Sequence, residues 1–259
     1  METMKAIICT KYGTPEVLKL ADVEKPIPKD NEVQIKIQAT TAHIGDAKIR
    51  SLSPGLGTLK DFFFKPIMRI MLGFIGPRRK ILGMDLTGEI SEVGKNVKLF
   101  KKGDQVFASA FEGFIFGAYA EYKCMPEDGL IAIKPNGMTY DEVAPLSNGA
   151  LTALGILRKA NIHKGQEVLI YGASGSLGTY AVQFAKYFGA EVTGVCSTTN
   201  LKMVQSIGAD HVIDYTKENF YDIDKTYDLI FDSVAKIPFS HRKTSLKKKR
   251  YFSRLIKFI

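Results

Sequence analysis

What this 259-residue sequence has in short supply sets its limits first. It holds three cysteines, Cys9, Cys124 and Cys196, far apart and without a CxxC pair. Its four histidines, His43, His163, His211 and His241, are just as scattered. A bound zinc needs several Cys or His ligands, usually at spacings that let one turn or helix supply two of them. No such spacing occurs, so no metal is expected. The same scarcity excludes a disulfide framework and suits a reducing compartment, read here as the cytoplasm. An apolar run of about 20 residues, the length of a membrane span, is also missing. The greasiest stretch, "FFFKPIMRIMLGFIG" (62–76), is interrupted by Lys65, Pro66 and Arg69 and reads as a lid or a buried flap. The opening "METMKAIICT" begins with an acid and has no sustained apolar run, so no secretory signal is read.

Basic charge is short in most of the chain too, despite a net charge of +9. Residues 236–259 hold nine of the 36 Lys and Arg and no acid, which leaves 27 basic and 27 acidic side chains elsewhere. A protein that grips nucleic acid should carry its basic face on the folded body. This body is neutral, so a nucleic-acid partner is not expected and the basic end needs its own account.

What is present falls into two halves. Residues 1–125 read mostly as short strands. "VQIKIQA" (33–39) alternates Val33, Ile35, Ile37 and Ala39 with polar residues, and "TGEISEVGKNV" and "FKKGDQVFASAF" are further β segments with turns at Gly94 and Gly103. Many short strands without helices between them suggest a barrel or sandwich. Later the rhythm changes. Thr139 and Glu142 form a capping-box signature, so "TYDEVAPLSNGALTALGILRKA" should begin a helix that Pro145 bends. Strands "EVLIYG" (167–172), "EVTGVC" (191–196), "HVIDY" (211–215) and "YDLIFDSV" (227–234) then alternate with helical segments, the pattern of a doubly wound parallel sheet.

The stretch "YGASGSLG" (171–178) stands where the first of these strands hands over to a helix. The first amides of a helix are unpaired and its dipole end is positive, so a tight turn free of side chains can hold a pyrophosphate there. The dinucleotide fingerprint lies on Ala173, Gly175 and Gly178, with Gly172 relaxing the turn; the competing reading is a merely tight structural turn. An NAD site places a carboxylate at the end of the second strand for the ribose hydroxyl. This chain has "CSTTNLK" there instead, with Ser197, Asn200 and Lys202. Hydroxyl, amide and ammonium groups suit a 2′-phosphate, so NADPH is expected over NADH. Lys202 alone also reads as a solvated helix charge.

These segments, together with "ILGMDLTGEISEVGKNVKLFKKGDQVFA" (81–108), "FGAYAEY" (116–122), "PLSNGALTAL" (145–154) and "SIGADHVIDYT" (206–216), resemble the medium-chain dehydrogenase/reductase superfamily in its zinc-free, quinone-oxidoreductase-like branch. The resemblance covers about residues 4–246 in the family's order. It implies an α/β protein with a GroES-like β-barrel over residues 1–125 as the substrate domain. A Rossmann NADP-binding domain would follow over 126–246, with a cleft between them for cofactor and substrate. It carries the pyrophosphate loop onto Ala173, Ser174, Gly175, Ser176, Leu177 and Gly178, and the 2′-phosphate pocket onto Ser197, Asn200 and Lys202. Tyr215 matches a tyrosine near the adenosine phosphate and Thr152 a threonine near the nicotinamide, although both also suit ordinary packing.

The zinc branch of that family takes a cysteine early in the barrel and a histidine in a "GHE"-like triplet. Here those places read "HIGD" (43–46) and Gly83-Met84-Asp85. Met84 cannot replace an imidazole, and His43 is either a polar cleft residue or a loop histidine. The implied activity is therefore zinc-independent hydride transfer from NADPH to a small electron-poor acceptor, a quinone or an activated enone or carbonyl. No catalytic acid is identified. The main departure is the end of the chain. At the end, "SLKKKRYFSRLIKFI" (245–259) replaces the expected helix end, glycine turn and apolar strand, with the atypical basic tail over 247–259, so the Rossmann sheet is expected to be incomplete, with a makeshift fifth strand at most. Truncation or a frame shift is one reading, a basic amphipathic end leaning on an anionic surface the other. The family's homodimer edge lies in the part missing here, and a nucleotide-binding remnant without turnover is the alternative function.

Overall fold

The computed structural model describes residues 2–53, 58–110 and 116–254. The chain forms two compact units, Met1–Asn148 and Gly149–Ile259.

The first unit is antiparallel. Strands β1 (Thr3–Cys9) and β2 (Leu18–Glu24) pair with each other. Strands β3 (Glu32–Thr40), β4 (Asp85–Val93), β5 (Gln105–Ser109), β6 (Tyr122–Pro126) and β7 (Ile131–Ile133) form a sheet in the order β6-β3-β4-β5-β7. The alternation in β3 works as its sequence implies, since Val33 and Ile35 are buried with Leu86, Ile90, Val106 and Met125. Gln34, on the opposite row, is also buried. Its amide donates to the Pro26 carbonyl at 2.6 Å and its side-chain oxygen accepts from the Ser91 hydroxyl at 2.6 Å, so both polar ends are satisfied.

Two helices follow β3, α1 (Ile44–Ser51) and α2 (Thr58–Leu72). The greasy stretch expected as a lid or buried flap is largely α2 and the turn after it, and it is not buried. Leu72 joins the core and Met68 packs on it, while Phe64, Ile67, Ile70, Met71, Phe74 and Ile75 remain exposed. A helix resting on one side can bury only one stripe, and this one is apolar on several.

Helix α3 (Tyr140–Val143) starts with the capping box read from the sequence: Glu142 N–H donates to Thr139 Oγ1 and Thr139 N–H to Glu142 Oε2. Pro145 does more than bend the helix. It falls in a 3-10 turn, Ala144–Leu146, that ends α3 after one turn. The unit boundary lies at Asn148/Gly149 rather than 125/126, because β6 pairs with β3, β7 pairs with β5, and Thr87 Oγ1 of β4 donates to the Tyr140 carbonyl.

The second unit runs α4 (Gly149–Lys159), β8 (Glu167–Tyr171), α5 (Ser176–Tyr187), β9 (Glu191–Cys196), α6 (Leu201–Ser206), β10 (His211–Asp214), β11 (Tyr227–Asp232), α7 (Phe239–Ser245) and β12 (Leu246–Arg254). All five strands are parallel, in the order β10-β9-β8-β11-β12. Parallel strands covered on both faces should be apolar on both, and β11 is buried throughout. One face packs Val168, Ile170, Val192, Ala181 and Val182 together, the other Leu169, Val195, Ile213, Ile230 and Phe220. The strand order turns back at β8, with β9 on one side and β11 on the other. That reversal opens a crevice at the carboxyl ends.

The basic end, read as an atypical tail over 247–259 with a makeshift fifth strand at most, supplies that fifth strand as far as residue 254; residues 255–259 lie outside the described ones. β12 pairs with β11 from Leu229↔Tyr251 to Asp232↔Arg254, after a register shift that takes up the basic run 247–250. Lys247 in that run is held by two carboxylates, Glu167 at 2.7 Å and the buried Asp228 at 2.8 Å. Lys225 extends the network to Glu167 and Glu191. Removing one partner of a carboxylate shut away from water costs more than a surface ion pair is worth. Replacing Lys247 by Met should therefore lower unfolding stability by about 1–2 kcal/mol, read from the denaturant midpoint, whereas Lys186→Met, on the exposed pair with Asp210, should cost well under that.

Candidate functional site

The turn from β8 into α5 is built from backbone. Gly172 has φ +82°, a conformation glycine adopts freely, and its N–H and that of Ala173 both donate to the Val195 carbonyl of β9 at 3.0 Å. The buried Ala173 lies under the turn. At Gly178 a Cβ would stand 2.2 Å from the Gly172 carbonyl oxygen, so only glycine lets α5 cross β8 this closely. Gly175 differs. It is the N-cap of α5, makes no side-chain cap, and a Cβ there would have its nearest neighbour at 3.5 Å. Packing does not require a glycine at that point, so its bareness leaves room for something outside the fold. The first-turn amides of α5, including Ser176 and Leu177, lack carbonyl partners within the helix and point to that side. Ser174 is half-buried beside them.

The rim around this turn is fixed by residues with no motif to announce them. Asp232, fully buried at the end of β11, accepts the N–H groups of Val234, Lys236 and Ile237, which folds the following loop back on itself. Ser233 Oγ donates to the Tyr171 carbonyl at 2.8 Å and ties that loop to β8. The signal was a polar residue closing an otherwise apolar strand.

At the end of β9, Asn200 Nδ2 donates to Ser197 Oγ at 3.0 Å, and Lys202 is exposed at the start of α6 without an acidic partner among the described residues. Asp214, on neighbouring β10, brings in a carboxylate the sequence reading did not weigh. Hydrogen bonds from the Thr198 and Thr216 hydroxyls and the Thr216 N–H hold its pKa below the usual carboxylate range. Its oxygens are thus spent on protein donors. Tyr215 is exposed, and its N–H donates to the Cys196 carbonyl. It lines a cleft of about 210 Å³ with Tyr171, Val195, Asn219, Phe220 and Tyr221. Phe220 meets Tyr171 edge-on and Tyr221 stacks on His241, so the rings of the aromatic wall support one another. Thr152 is half-buried in the first turn of α4, whose Gly149 packs against Ser176 and Tyr180 of α5. The second unit thus brings together the turn, the β9 end, Tyr215 and the start of α4. Main-chain amides without helical partners, hydroxyls, an amide, an ammonium and an aromatic slot are groups whose chemistry suits a phosphorylated dinucleotide.

In the first unit, His43 caps α1, its Nδ1 accepting the Gly45 N–H at 3.0 Å. Met84 is buried with Cys9, Ile49 and Leu82, and no group of three metal-ligating side chains is found among the described residues. Two buried aspartates flank Met84 instead. Asp85 accepts from the Thr41 and Ser147 hydroxyls and the Asn148 amide. Asp46 accepts the Gly83 N–H at 2.8 Å and faces Tyr119 Oη at 3.1 Å, while Tyr119 Oη also lies 3.0 Å from the Thr41 carbonyl. One phenolic hydrogen cannot serve both acceptors. A proton on Asp46 resolves this, since the acid then donates to Tyr119 and Tyr119 to Thr41. Burial raises the Asp46 pKa in the same sense, and burial raises that of Tyr119 as well.

Residues 29–135 match the alcohol dehydrogenase GroES-like domain family and residues 176–249 the zinc-binding dehydrogenase family. A quinone oxidoreductase of Sus scrofa is 33% identical over 247 residues, covering 92% of this chain and 68% of that protein. A 2-methylene-furan-3-one reductase of Solanum lycopersicum is 36% identical over 240 residues, 90% of this chain and 57% of the relative. The chloroplastic NADPH-dependent alkenal/one oxidoreductase of Arabidopsis thaliana is 33% identical over 240 residues, 90% and 58%. The solved quinone oxidoreductase from Coxiella burnetii superposes with a TM-score of 0.77 at 31% identity, covering 90% of this chain and 69% of that one. The barrel-and-sheet pair and its glycine turn thus define an oxidoreductase-type scaffold. The chain belongs to the medium-chain dehydrogenase/reductase superfamily, in its quinone-oxidoreductase-like branch. It spans little more than half the length of the plant relatives.

The raised Asp46 pKa has a testable sign. Between the unfolded carboxyl value, about 4, and the higher folded one, the native state holds more protons, so this group's contribution to stability falls as pH rises through that window. Asp46→Asn removes the titration. The wild type should therefore gain stability relative to the variant as pH is lowered from neutral toward about 4, in paired denaturant titrations. A difference independent of pH would show that Asp46 is not held protonated.

Proposed function

We propose that this chain is an NADPH-dependent, zinc-independent oxidoreductase acting on small electron-poor acceptors, quinones or activated enones and carbonyls. The observation that carries this reading is that packing does not demand the glycine at Gly175, on the turn at the point where the parallel sheet reverses. The turn from Ala173 to Gly178 would hold the pyrophosphate through main-chain amides. Ser197, Asn200 and Lys202 would hold the 2′-phosphate, which a carboxylate in their place would repel. Asp214, already engaged by Thr198 and Thr216, leaves that preference intact. Tyr215 and the aromatic cleft beside it suit the adenine, and Thr152 the nicotinamide end.

Bound there, the nicotinamide would supply a hydride, which passes most readily to an acceptor that needs no further polarisation. Relatives named as quinone and alkenal/one oxidoreductases, one of them NADPH-dependent, support the same substrate class. Met84, buried among apolar neighbours where the zinc branch has its histidine, supports zinc independence. The cysteines described, all free and two of them buried, suit a reducing compartment such as the cytoplasm.

Calorimetry of the full chain with NADPH and NADH tests this. NADPH should bind more tightly, and Lys202→Ala should cost NADPH about tenfold and NADH little. Gly175→Val should leave the melting temperature nearly unchanged, because its φ of −78° is open to any residue, while weakening both cofactors. Heat from neither dinucleotide would end the proposal. Binding without oxidation across a panel of quinones and enones would leave a nucleotide-binding protein without turnover.

A further inference from the structure

Helix α2 and the turn after it show more apolar surface than folding explains. Phe63, Phe64, Ile67, Ile70, Met71, Phe74 and Ile75 are 45 to 85% exposed. These are seven large apolar side chains within 13 residues. Scattered exposed hydrophobics are normal, but a contiguous set marks something that covers them.

The base of this segment is firmly fastened. Leu72 is buried with Cys9, Ile49 and Leu82, and Met68 packs on that cluster. Tyr12 Oη donates to the Gly73 carbonyl at 2.8 Å, and Arg78 N–H to the Leu72 carbonyl at 2.6 Å. Arg69 donates to the Phe74 carbonyl and Arg78 to that of Ile70, closing the turn. A Cβ at Gly76 would stand 2.2 Å from the Thr10 carbonyl, so the turn rests directly on the chain at Thr10. The apolar tip is therefore presented by a built hairpin.

Its charge says what it is presented to. Residues 58–80 hold six Lys and Arg and one acid, Asp61. Lys65, Arg69, Arg78, Arg79 and Lys80 make no ion pair among the described residues. The outer surface is thus apolar side chains interleaved with cations that have no acidic partner among the described residues. Two copies meeting through this face would set the same cations against one another. An anionic bilayer instead supplies a hydrocarbon boundary for the rings and headgroup phosphates for the cations. The helix is too short and too charged to cross, since its 15 residues reach about 22 Å against a core of about 30 Å.

We propose that this hairpin docks the protein onto anionic phospholipid surfaces, with Phe74 and Ile75 entering the headgroup boundary and Lys65, Arg69, Arg79 and Lys80 lying against lipid phosphates. The inference is independent of the nucleotide site.

Vesicle flotation of the full chain tests it, with phosphatidylcholine alone and with about one third phosphatidylserine added. The chain should float with the mixed vesicles at least about tenfold more than with phosphatidylcholine, and about 0.5 M salt should remove most of the difference. Phe74→Ser with Ile75→Ser should lower the partition about tenfold with an unchanged circular dichroism spectrum and melting temperature. Arg79→Glu with Lys80→Glu should remove the preference for phosphatidylserine. Flotation with neither vesicle, or equally with both and unaffected by the charge reversal, overturns the proposal. So does a lipid-free dimer in sedimentation that Phe74→Ser with Ile75→Ser dissolves, because the face would then belong to a second copy.

Discussion

One close crossing governs the second unit. Helix α5 leaves β8 so tightly that the Gly178 backbone rests against the Gly172 carbonyl, with no room for even a methyl group between them. That contact sets the helix direction. It points the first-turn amides past the strand end and leaves Gly175 bare on the outside. The five parallel strands supply the rigid floor, and the reversal of strand order at β8 supplies the crevice. Widening the crossing would move the positive dipole end of α5 away from the crevice at the strand ends.

Around that crossing the fold spends polar residues at strand ends. Asp232 and Ser233 close β11, Asp214 closes β10, and Lys247, Glu167 and Asp228 form ion pairs at the opposite ends of β8 and β11. Each satisfies main-chain or side-chain groups that a parallel sheet would otherwise leave open at its margin. The first unit solves a related problem differently. Its buried Asp46, on α1, and Asp85, on β4, gather donors from Thr41 just after β3, from Gly83 before β4 and from Ser147 and Asn148 before α4, binding segments far apart in sequence into one polar knot.

Much of this was legible in the residues. Alternation at Val33, Ile35 and Ile37, the Thr139–Glu142 capping box and the apolar runs of β8, β9, β10 and β11 are local signals, and each produced its element. The glycine turn was legible for the same reason, because the spacing of Gly175 and Gly178 encodes a backbone path. What the sequence hid was set by distant partners. Nothing near Gln34 announces the Pro26 carbonyl that lets it be buried. The basic run at 247–250 read as a tail because its charges stood out, while the carboxylates that receive Lys247 lie about 20 and 80 residues upstream. The helix read as a flap carried the right hydrophobicity, but its burial depended on how many sides had neighbours. Asp214 and Asp232 looked like ordinary strand endings until their hydrogen bonds were seen.

The main-chain character of the β8–α5 turn has a bearing on how the molecule can change over generations. Amide donors belong to every residue alike, so replacements at Ser174, Ser176 or Leu177 leave the donor array standing, and only the few glycines are vulnerable. The groups that close β9 are ordinary side chains, each open to exchange by a single substitution. The main-chain donor array of the turn is therefore robust to drift, whereas the side-chain chemistry at the end of β9 is readily retuned.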